Sequence, residues 1–355
     1  MSKYGVNKVK IKIKEVAKIA GVSPATVSRA INNSDYVKKE TKDKINAAIK
    51  ELKNENKFLK NENEAYMGTI AIIIPDIGNE FFSKIISGIE KICFEKSYLP
   101  VIFNSRENED IEDLILKRLK KINLSGIILT PVSDRKESYS NYLNLIEKLD
   151  VPKVLLDRDF EFGNFEGVFI DNIFGASEAT QNFIDNGHKN IAIIGGPQTS
   201  KPGRERYIGF EKTMKSNNLK INSNFIKFGE FNFENGYNST LQLLNLNPPP
   251  SAFFISNNTI LYGAIKAIKE KELVIGRDIS IISFDEIQAN SLAQYTISSI
   301  GVNYEKMGEI AIEMLIGRIT NDVKVNYSSR KIILKPELIL RGSEESEKIK
   351  KMEAK

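Results

Sequence analysis

The sequence predicts a small all-α head joined to a two-lobed α/β body of doubly wound parallel sheets, and three observations carry that expectation. Apolar residues recur at helical spacing from about Ile11 to Leu52, while from Thr69 onward short β-branched runs alternate with amphipathic stretches. Charge divides at the same boundary. Residues 1–66 hold 15 Lys and Arg against 8 Asp and Glu, a net of +7, and the remainder carries a net of −2. A basic block of this kind is the electrostatic footprint of a nucleic-acid partner or of a solubilising tail.

In the head, Val16, Ile19 and Ala20 form one apolar face, Val27, Ala30 and Ile31 a second, and Ile45, Ala48, Ile49 and Leu52 a third, which predicts three short helices. Gly21 stands where the first must turn through a left-handed backbone, and Ser23-Pro24 offers an N-cap followed by proline at the first helical position. The stretch 53–64, KNENKFLKNENE, reads either as a flexible tether or as a thin heptad seam through Leu52, Leu59 and Tyr66.

The body contains TIAIIIP (69–75), PVIF (100–103), GIILT (126–130), KVLLD (153–157), GVFID (167–171), NIAIIGG (190–196), AFFIS (252–256) and ISIISFD (279–285). Runs apolar on both faces, separated by amphipathic segments, are parallel strands under crossover helices. About eleven such strands are too many for one small sheet, hence two lobes. The expected division is 11–52 head, 53–68 linker and 69–341 body, with a frayed charged tail at 342–355. Lobe 1 takes about 69–169 and 300–328, lobe 2 about 170–297 and 329–341.

The single cysteine and single histidine exclude a disulfide framework and a multi-thiolate zinc site, so no metal and no cofactor is expected. Cys93 sits on an apolar helix face and reads as core, and His188 reads as structural, at a helix end where carbonyls serve it. The N-terminus lacks a signal-peptide core and no apolar run is long enough to span a membrane, so a cytoplasmic location is expected.

The most specific signal is KIKEVAKIAGVSPATVSRAINNSDYVKKET (12–41). Small and apolar residues at the helix contact, glycine at the turn and a second helix at Pro24–Ile31 make a helix-turn-helix whose second helix enters the major groove. VAKIAGVSPATVSRAIN resembles the signature of the LacI/GalR family of bacterial transcription regulators. That resemblance implies that Pro24, Ala25 and Arg29 read bases, and that Ser23, Thr26, Ser28 and Asn32 hold phosphates. Arg29 can donate two parallel hydrogen bonds to guanine, whereas Pro24 and Ala25 offer only apolar contact to a thymine methyl.

The chain departs from the family in its linker. Aligned on Leu52, the positions that usually carry a hinge helix and a leucine wedge are Asn56, Lys57, Lys60, Asn61 and Asn63, and Glu55, Glu62 and Glu64 would face phosphates. Binding is therefore expected to rest on the major-groove helices, with less DNA bending than the family's full hinge produces. Lysine also replaces the usual capping serine ahead of the third helix, in VKKET (37–41).

The resemblance continues through PDIGNEFF (75–82), NIAIIGGP (190–197), RERYIGF (204–210), SNN (256–258) and SFDEI (283–287). It implies a periplasmic-binding-protein-like body closing on a small ligand, with Arg206, Asn257 and Asp285 as main contacts and Phe82, Phe231 and Asp157 beside them. Carboxylates, amide and guanidinium donors and an aromatic face suit a sugar, and they fall at or after strand C-termini. Asn258 replaces the family's aspartate and Glu80 a proline, altering a cap or lobe contact and placing an ionisable group at the cleft mouth. Arg158 stands where it could pair with Asp157.

The whole implies a cytoplasmic homodimeric repressor. It would read a near-palindromic double-stranded operator under control of a carbohydrate effector, and dimerise through the helix bearing Ile85, Ile86, Ile89 and Ile92 together with helices of lobe 2, although that apolar face is equally consistent with an internal core. Two rivals are weighed against it. A sugar- or nucleotide-processing enzyme could use the loop GGPQTSK or an Asp157/Asp285 pair, but has no use for a major-groove helix. An extracytoplasmic solute receptor would need a signal peptide where the basic head stands.

Overall fold

The computed structural model describes residues 13–31, 37–38, 40–48, 66–134, 144–160, 165–287, 296–320 and 330–345. The chain forms two compact units, 1–65 and 66–355.

The first unit holds α1 (Ile13–Ala20), α2 (Pro24–Ile31) and α3 (40–48). Gly21, at φ 65°, reverses the chain between the first two, and the Val22 amide donates back to the Ala17 carbonyl at 3.0 Å. Ser23 caps α2, its Oγ accepting from the Thr26 amide at 3.2 Å. Val16, Ala17, Val27, Ile45 and Ala48 make the core, bordered by Ala20, Val22 and Ala30. Ile19, expected on this face, is 43% exposed because so small a core leaves it at the margin. At the start of α3 the Lys38 carbonyl accepts from the Thr41 and Lys42 amides. Asn32, Ile49, Leu52 and the linker positions 53–64 lie outside the described residues.

The second unit runs β1 (Gly68–Ile74), α4 (Glu80–Glu95), β2 (Tyr98–Asn104), α5 (Glu109–Leu119), β3 (Gly126–Leu129), a single turn α6 (144–147), β4 (Lys153–Leu156) and β5 (Glu166–Ile170). It continues through α7 (Asn172–Asp185), β6 (Ile191–Gly195), α8 (Lys201–Ser216), β7 (Ile226–Phe228), α9 (Phe233–Leu244), β8 (Ala252–Ile255) and α10 (Asn258–Glu270). β9 (Ser280–Phe284), β10 (Ser298–Gly301), α11 (Tyr304–Ile319), β11 (Lys331–Leu334) and β12 (Glu337–Ile339) complete it. The strands form two six-stranded sheets, ordered β11-β5-β4-β3-β1-β2 and β12-β10-β9-β8-β6-β7. Every pairing is parallel except β10 with β12. Each sheet lies between helices, so its central strands are buried on both faces and read as unbroken Ile, Val, Leu and Phe. Among the described residues no helix is long and apolar enough to cross a membrane.

The two sheets repeat one plan: β1, β2, β3, β4 and β5 hold the places of β6, β7, β8, β9 and β10. The chain crosses between lobes three times, at Asp171, at Val302-Asn303 and at Lys335-Pro336. The second and third crossings lie elsewhere than the sequence suggests. β10 pairs Ser298 with Ile282 in the second sheet, and β11 pairs Lys331 with Gly167 in the first. Both are four-residue strands, and an apolar run so short does not declare which sheet it joins.

Two further expectations change. Ile85, Ile86, Ile89 and Ile92 form no free face; they are buried in the core of lobe 1, where α4 packs on α11. Gly88 allows that approach, since a Cβ there would lie 2.0 Å from the Glu305 carbonyl oxygen. The tail is anchored where it leaves the body. Ser343 and Glu344 are buried: the Ile281 amide donates to the Ser343 carbonyl at 2.7 Å, and the Ser298 hydroxyl hydrogen-bonds the Glu344 carboxylate.

His188 is fully buried, with Nδ1 2.8 Å from the Ser251 hydroxyl and its ring edge-on to Phe183. Burial pushes its pKa down to about 4, so the ring packs as a neutral structural group, in line with the structural role expected of it. Cys93 is equally buried and its thiol is pushed up to about 12, which leaves it inert. Because the folded pKa of His188 is depressed, its burial favours the fold above the ordinary histidine value and loses that advantage as pH falls from about 6.5 towards 4. His188 is the chain's only histidine, so its ring protons in an NMR titration report it alone. They are expected to stay in the neutral position down to about pH 5, and a midpoint near 6.5 would contradict the burial.

Candidate functional site

A cleft opens between the lobes at the C-terminal edges of the central strands, lined by Phe82, Asp157, Arg206, Phe231, Asn257 and Asp285 among others. All six residues expected to bind effector therefore meet in one place. The free space between these side chains is about 30 Å³, enough for water and far below the few hundred Å³ typical of a site that holds a small ligand.

The repeated plan places the two aspartates. Asp157 follows β4 and Asp285 follows β9, the equivalent strand. Both hold left-handed backbones, at φ 62° and 69°, and each donates its amide to the next strand, Asp157 to Val168 at 2.9 Å and Asp285 to Ile300 at 2.8 Å. This turn lifts each side chain off the sheet edge. Both carboxyls are buried, and burial raises both pKa values, that of Asp157 to about 6, against the lowering pull of the arginines.

Arg206, on α8, offsets that burial. Its Nε donates to Asn172 Oδ1 at 2.9 Å and its Nη1 to the Ser256 carbonyl at 2.5 Å, with Nη1 3.8 Å from Asp285 Oδ2. The guanidinium lies 3.7 Å from the centre of the Phe284 ring. Tyr304 donates to Asp285 Oδ1 at 3.0 Å, and its own pKa is raised well above the ordinary value, first by burial and then by that carboxylate. Asn257 caps α10, its Oδ1 accepting from Ile260 and its Nδ2 donating to Thr259 Oγ1 at 2.8 Å, so part of its hydrogen bonding is spent on the helix.

Polar contacts close the cleft from both sides. Asn258 Nδ2 donates to Asn79 Oδ1 at 2.8 Å, and Tyr262 to Glu80 Oε1 at 2.7 Å. Arg204 of lobe 2 forks onto Asp134 of lobe 1, and Lys201 and Lys331 both reach Asp159. In the head, Pro24, Ala25 and Arg29 are exposed on one side of α2 and Thr26 and Ser28 are half-exposed beside them, while Val27 is buried. The segment thus has a reading face and a core face.

Residues 12–54 match the family of bacterial regulatory proteins called the lacI family, and residues 180–344 match the periplasmic binding protein-like domain. The HTH-type transcriptional repressor PurR of Histophilus somni (strain 2336) is 34% identical over 334 residues, covering 93% of this chain and 98% of that protein. The ribose operon repressor of Escherichia coli (strain K12) is 31% identical over 335 residues, covering 93% and 99%. The chain belongs to the LacI family.

Among solved structures, the lac repressor dimer bound to operator and an anti-inducer superposes with a TM-score of 0.68 at 22% identity, over 94% of this chain and 99% of that one. This LacI-family chain is thus a DNA-binding transcription regulator with an effector domain, and these two relatives are repressors, not enzymes. The loop GGPQTSK, one of the two bases of the enzyme rival, closes on itself: Ser200 Oγ accepts from the Gly203 amide, and Gln198 Nε2 donates to the Gly196 and Gly203 carbonyls.

Both departures from the family pattern become lobe contacts: Asn258 bonds Asn79, and Glu80 bonds Tyr262. Arg158 sits only loosely against Asp157, at 3.9 Å, because its guanidinium forks onto Glu107 at 2.6 and 2.8 Å. Burial works against that charge, but Glu107 outweighs it and the pKa of Arg158 rises. Sequence reasoning missed Asp76, Asn79 and Glu107 in the lining, and Asn172 and Tyr304 behind it. Glu107 stands on a left-handed loop residue 51 positions from its partner, with no local signal.

Asn79 Oδ1 is committed to capping α4 through the Phe81 amide at 2.9 Å, which obliges Asn258 to present its NH₂. Asn258→Asp is therefore expected to set a buried carboxylate against that oxygen and to destabilise the body by about 1–3 kcal/mol. Chemical denaturation at pH 8 measures this; an unchanged midpoint would show that the contact contributes nothing.

Proposed function

We propose that this protein is a cytoplasmic homodimeric repressor whose operator affinity is set by a small carbohydrate effector held in the cleft. The convergence of Phe82, Asp157, Arg206, Phe231, Asn257 and Asp285 supports this reading. Carboxylates accept from sugar hydroxyls, Arg206 and Asn257 donate back, and a phenyl ring covers the apolar ring face. The head of 11–52 reads DNA, 53–68 tethers it, and 69–341 senses the ligand. Ligand would bias the lobes between arrangements that favour or oppose simultaneous binding of two heads to a near-palindromic operator.

On the DNA, Arg29 carries polar base readout, Pro24 and Ala25 supply apolar contact, and Ser23, Thr26, Ser28 and Asn32 set the register on phosphates. Arg29→Ala is expected to cost about 1–3 kcal/mol of operator binding and to relax preference at one base pair, read by selection from randomised duplexes. An unchanged preferred site would remove Arg29 from the reading face. Since the linker lacks the leucine wedge, a circular-permutation gel is expected to show weak bending, and a strong central kink would contradict this.

The effector class is tested by thermal shift of the full chain with pentoses, hexoses, disaccharides and free purines, because a bound ligand raises the melting temperature by mass action. A shift with a sugar that also changes operator binding supports the reading. A shift with a purine and none with any sugar would replace it.

A further inference from the structure

We infer that the effector is an uncharged, hydroxyl-bearing molecule, and that the cleft rejects its phosphate ester. The inference rests on the reading of this cleft as the effector site, and adds the charge of what enters it.

The lining carries four carboxylates, Asp76, Glu107, Asp157 and Asp285, against two guanidinium groups, Arg158 and Arg206. Lys84, the next cation to act on Asp285, still leaves the negative charge in excess. Both arginines are already engaged. Arg158 gives Nη1 and Nη2 to Glu107, and Nη1 also to the Val132 carbonyl at 3.1 Å. Arg206 gives Nε to Asn172 and Nη1 to the Ser256 carbonyl. Each arginine has thus already given part of its fork to the protein, Arg158 to a carboxylate and Arg206 to an amide and a carbonyl, so neither stands as a free cation awaiting a phosphate.

Helix N-termini are the other common anion site, and three border the cleft. Each caps itself: Asn79 Oδ1 accepts from Phe81, Asn257 Oδ1 from Ile260, and Ser200 Oγ from Gly203.

What the cleft leaves unmet points the same way. Asp157 Oδ1 and Arg158 Nε are buried atoms that accept or donate no hydrogen bond, the latter only 3.9 Å from Asp157 Oδ2, on residues that are 6% and 4% exposed. One needs a donor and the other an acceptor. A hydroxyl is both, whereas an ionised phosphate oxygen only accepts and would leave Asp157 unsatisfied beside a second negative charge.

The chain has no tryptophan, so Phe231→Trp places a single indole in the cleft wall, excited at the red edge where the 12 tyrosines do not absorb. Quenching by iodide and by caesium is measured on the full-length variant, each normalised to free N-acetyltryptophanamide and to acrylamide. Iodide is expected to be weaker than caesium by about twofold or more at low salt, with the difference fading as salt is added. Equal or stronger iodide quenching overturns the inference, whatever the natural ligand. Should that variant fail to fold, melting of the unsubstituted protein is compared at equal ionic strength with ribose against ribose 5-phosphate, and with glucose against glucose 6-phosphate. Any ester that stabilises more than its parent sugar overturns the inference, and none doing so agrees with it. A neutral purine that binds would overturn the hydroxyl-bearing half of the inference together with the sugar reading, and would leave only the exclusion of phosphate.

Discussion

The effector domain depends on one costly arrangement: two carboxylates buried at the ends of equivalent strands, Asp157 beside Arg158 and Asp285 beside Arg206, with Arg206 acting on both. Unpaired, each would protonate or draw water into the cleft. Arg206 keeps the pair compatible with the fold because its own position is over-determined by Asn172, the Ser256 carbonyl and the Phe284 ring. Tyr304, reaching across from lobe 1, takes one oxygen of Asp285. Asp157, Asp285 and Arg206 themselves line the cleft, with their supports behind them, so a ligand would meet the same charges that hold the lobe edges in place.

Closure is polar rather than greasy. Asn79 with Asn258, Glu80 with Tyr262, Arg204 with Asp134 and Lys201 with Asp159 are polar contacts whose groups would be met by water once the lobes part. A domain that must open and close gains from such a seam, since each contact adds little to the barrier and the balance between states stays within reach of a small ligand's binding energy. The three crossings between lobes supply the connection about which such movement would turn.

Much of this was legible in the sequence, for identifiable reasons. Strands buried on both faces announce themselves as unbroken apolar runs, and the aspartates and Asn257 stand directly after such runs. Gly21, Ser23 and Pro24 marked the turn because each residue type has a local backbone reason to be there. What stayed hidden depended on distance along the chain. The Glu107 partner of Arg158 and the support of Arg206 by Asn172 join residues 51 and 34 positions apart. The apolar face of α4 was ambiguous for a related reason: a helix stripe shows that something covers it, and only the packing against α11 shows what. His188 read as structural from its place before a strand, and its depth in the core adds that it is held neutral there.

If Arg206 is what permits the buried pair, its loss should be felt in proportion to the charge left behind. The most direct measurement is the stability of Arg206→Met against the parent as a function of pH, by chemical denaturation. Asp157 and Asp285 both have raised folded values that Arg206 pulls down, so removing it raises them further and lets the folded variant take up protons more tightly than the unfolded chain. The account predicts a penalty of about 3–5 kcal/mol at pH 8 that shrinks steadily as pH falls through 6. A penalty of the same size at pH 8 and pH 5 would mean that Arg206 acts only by packing, and would contradict it.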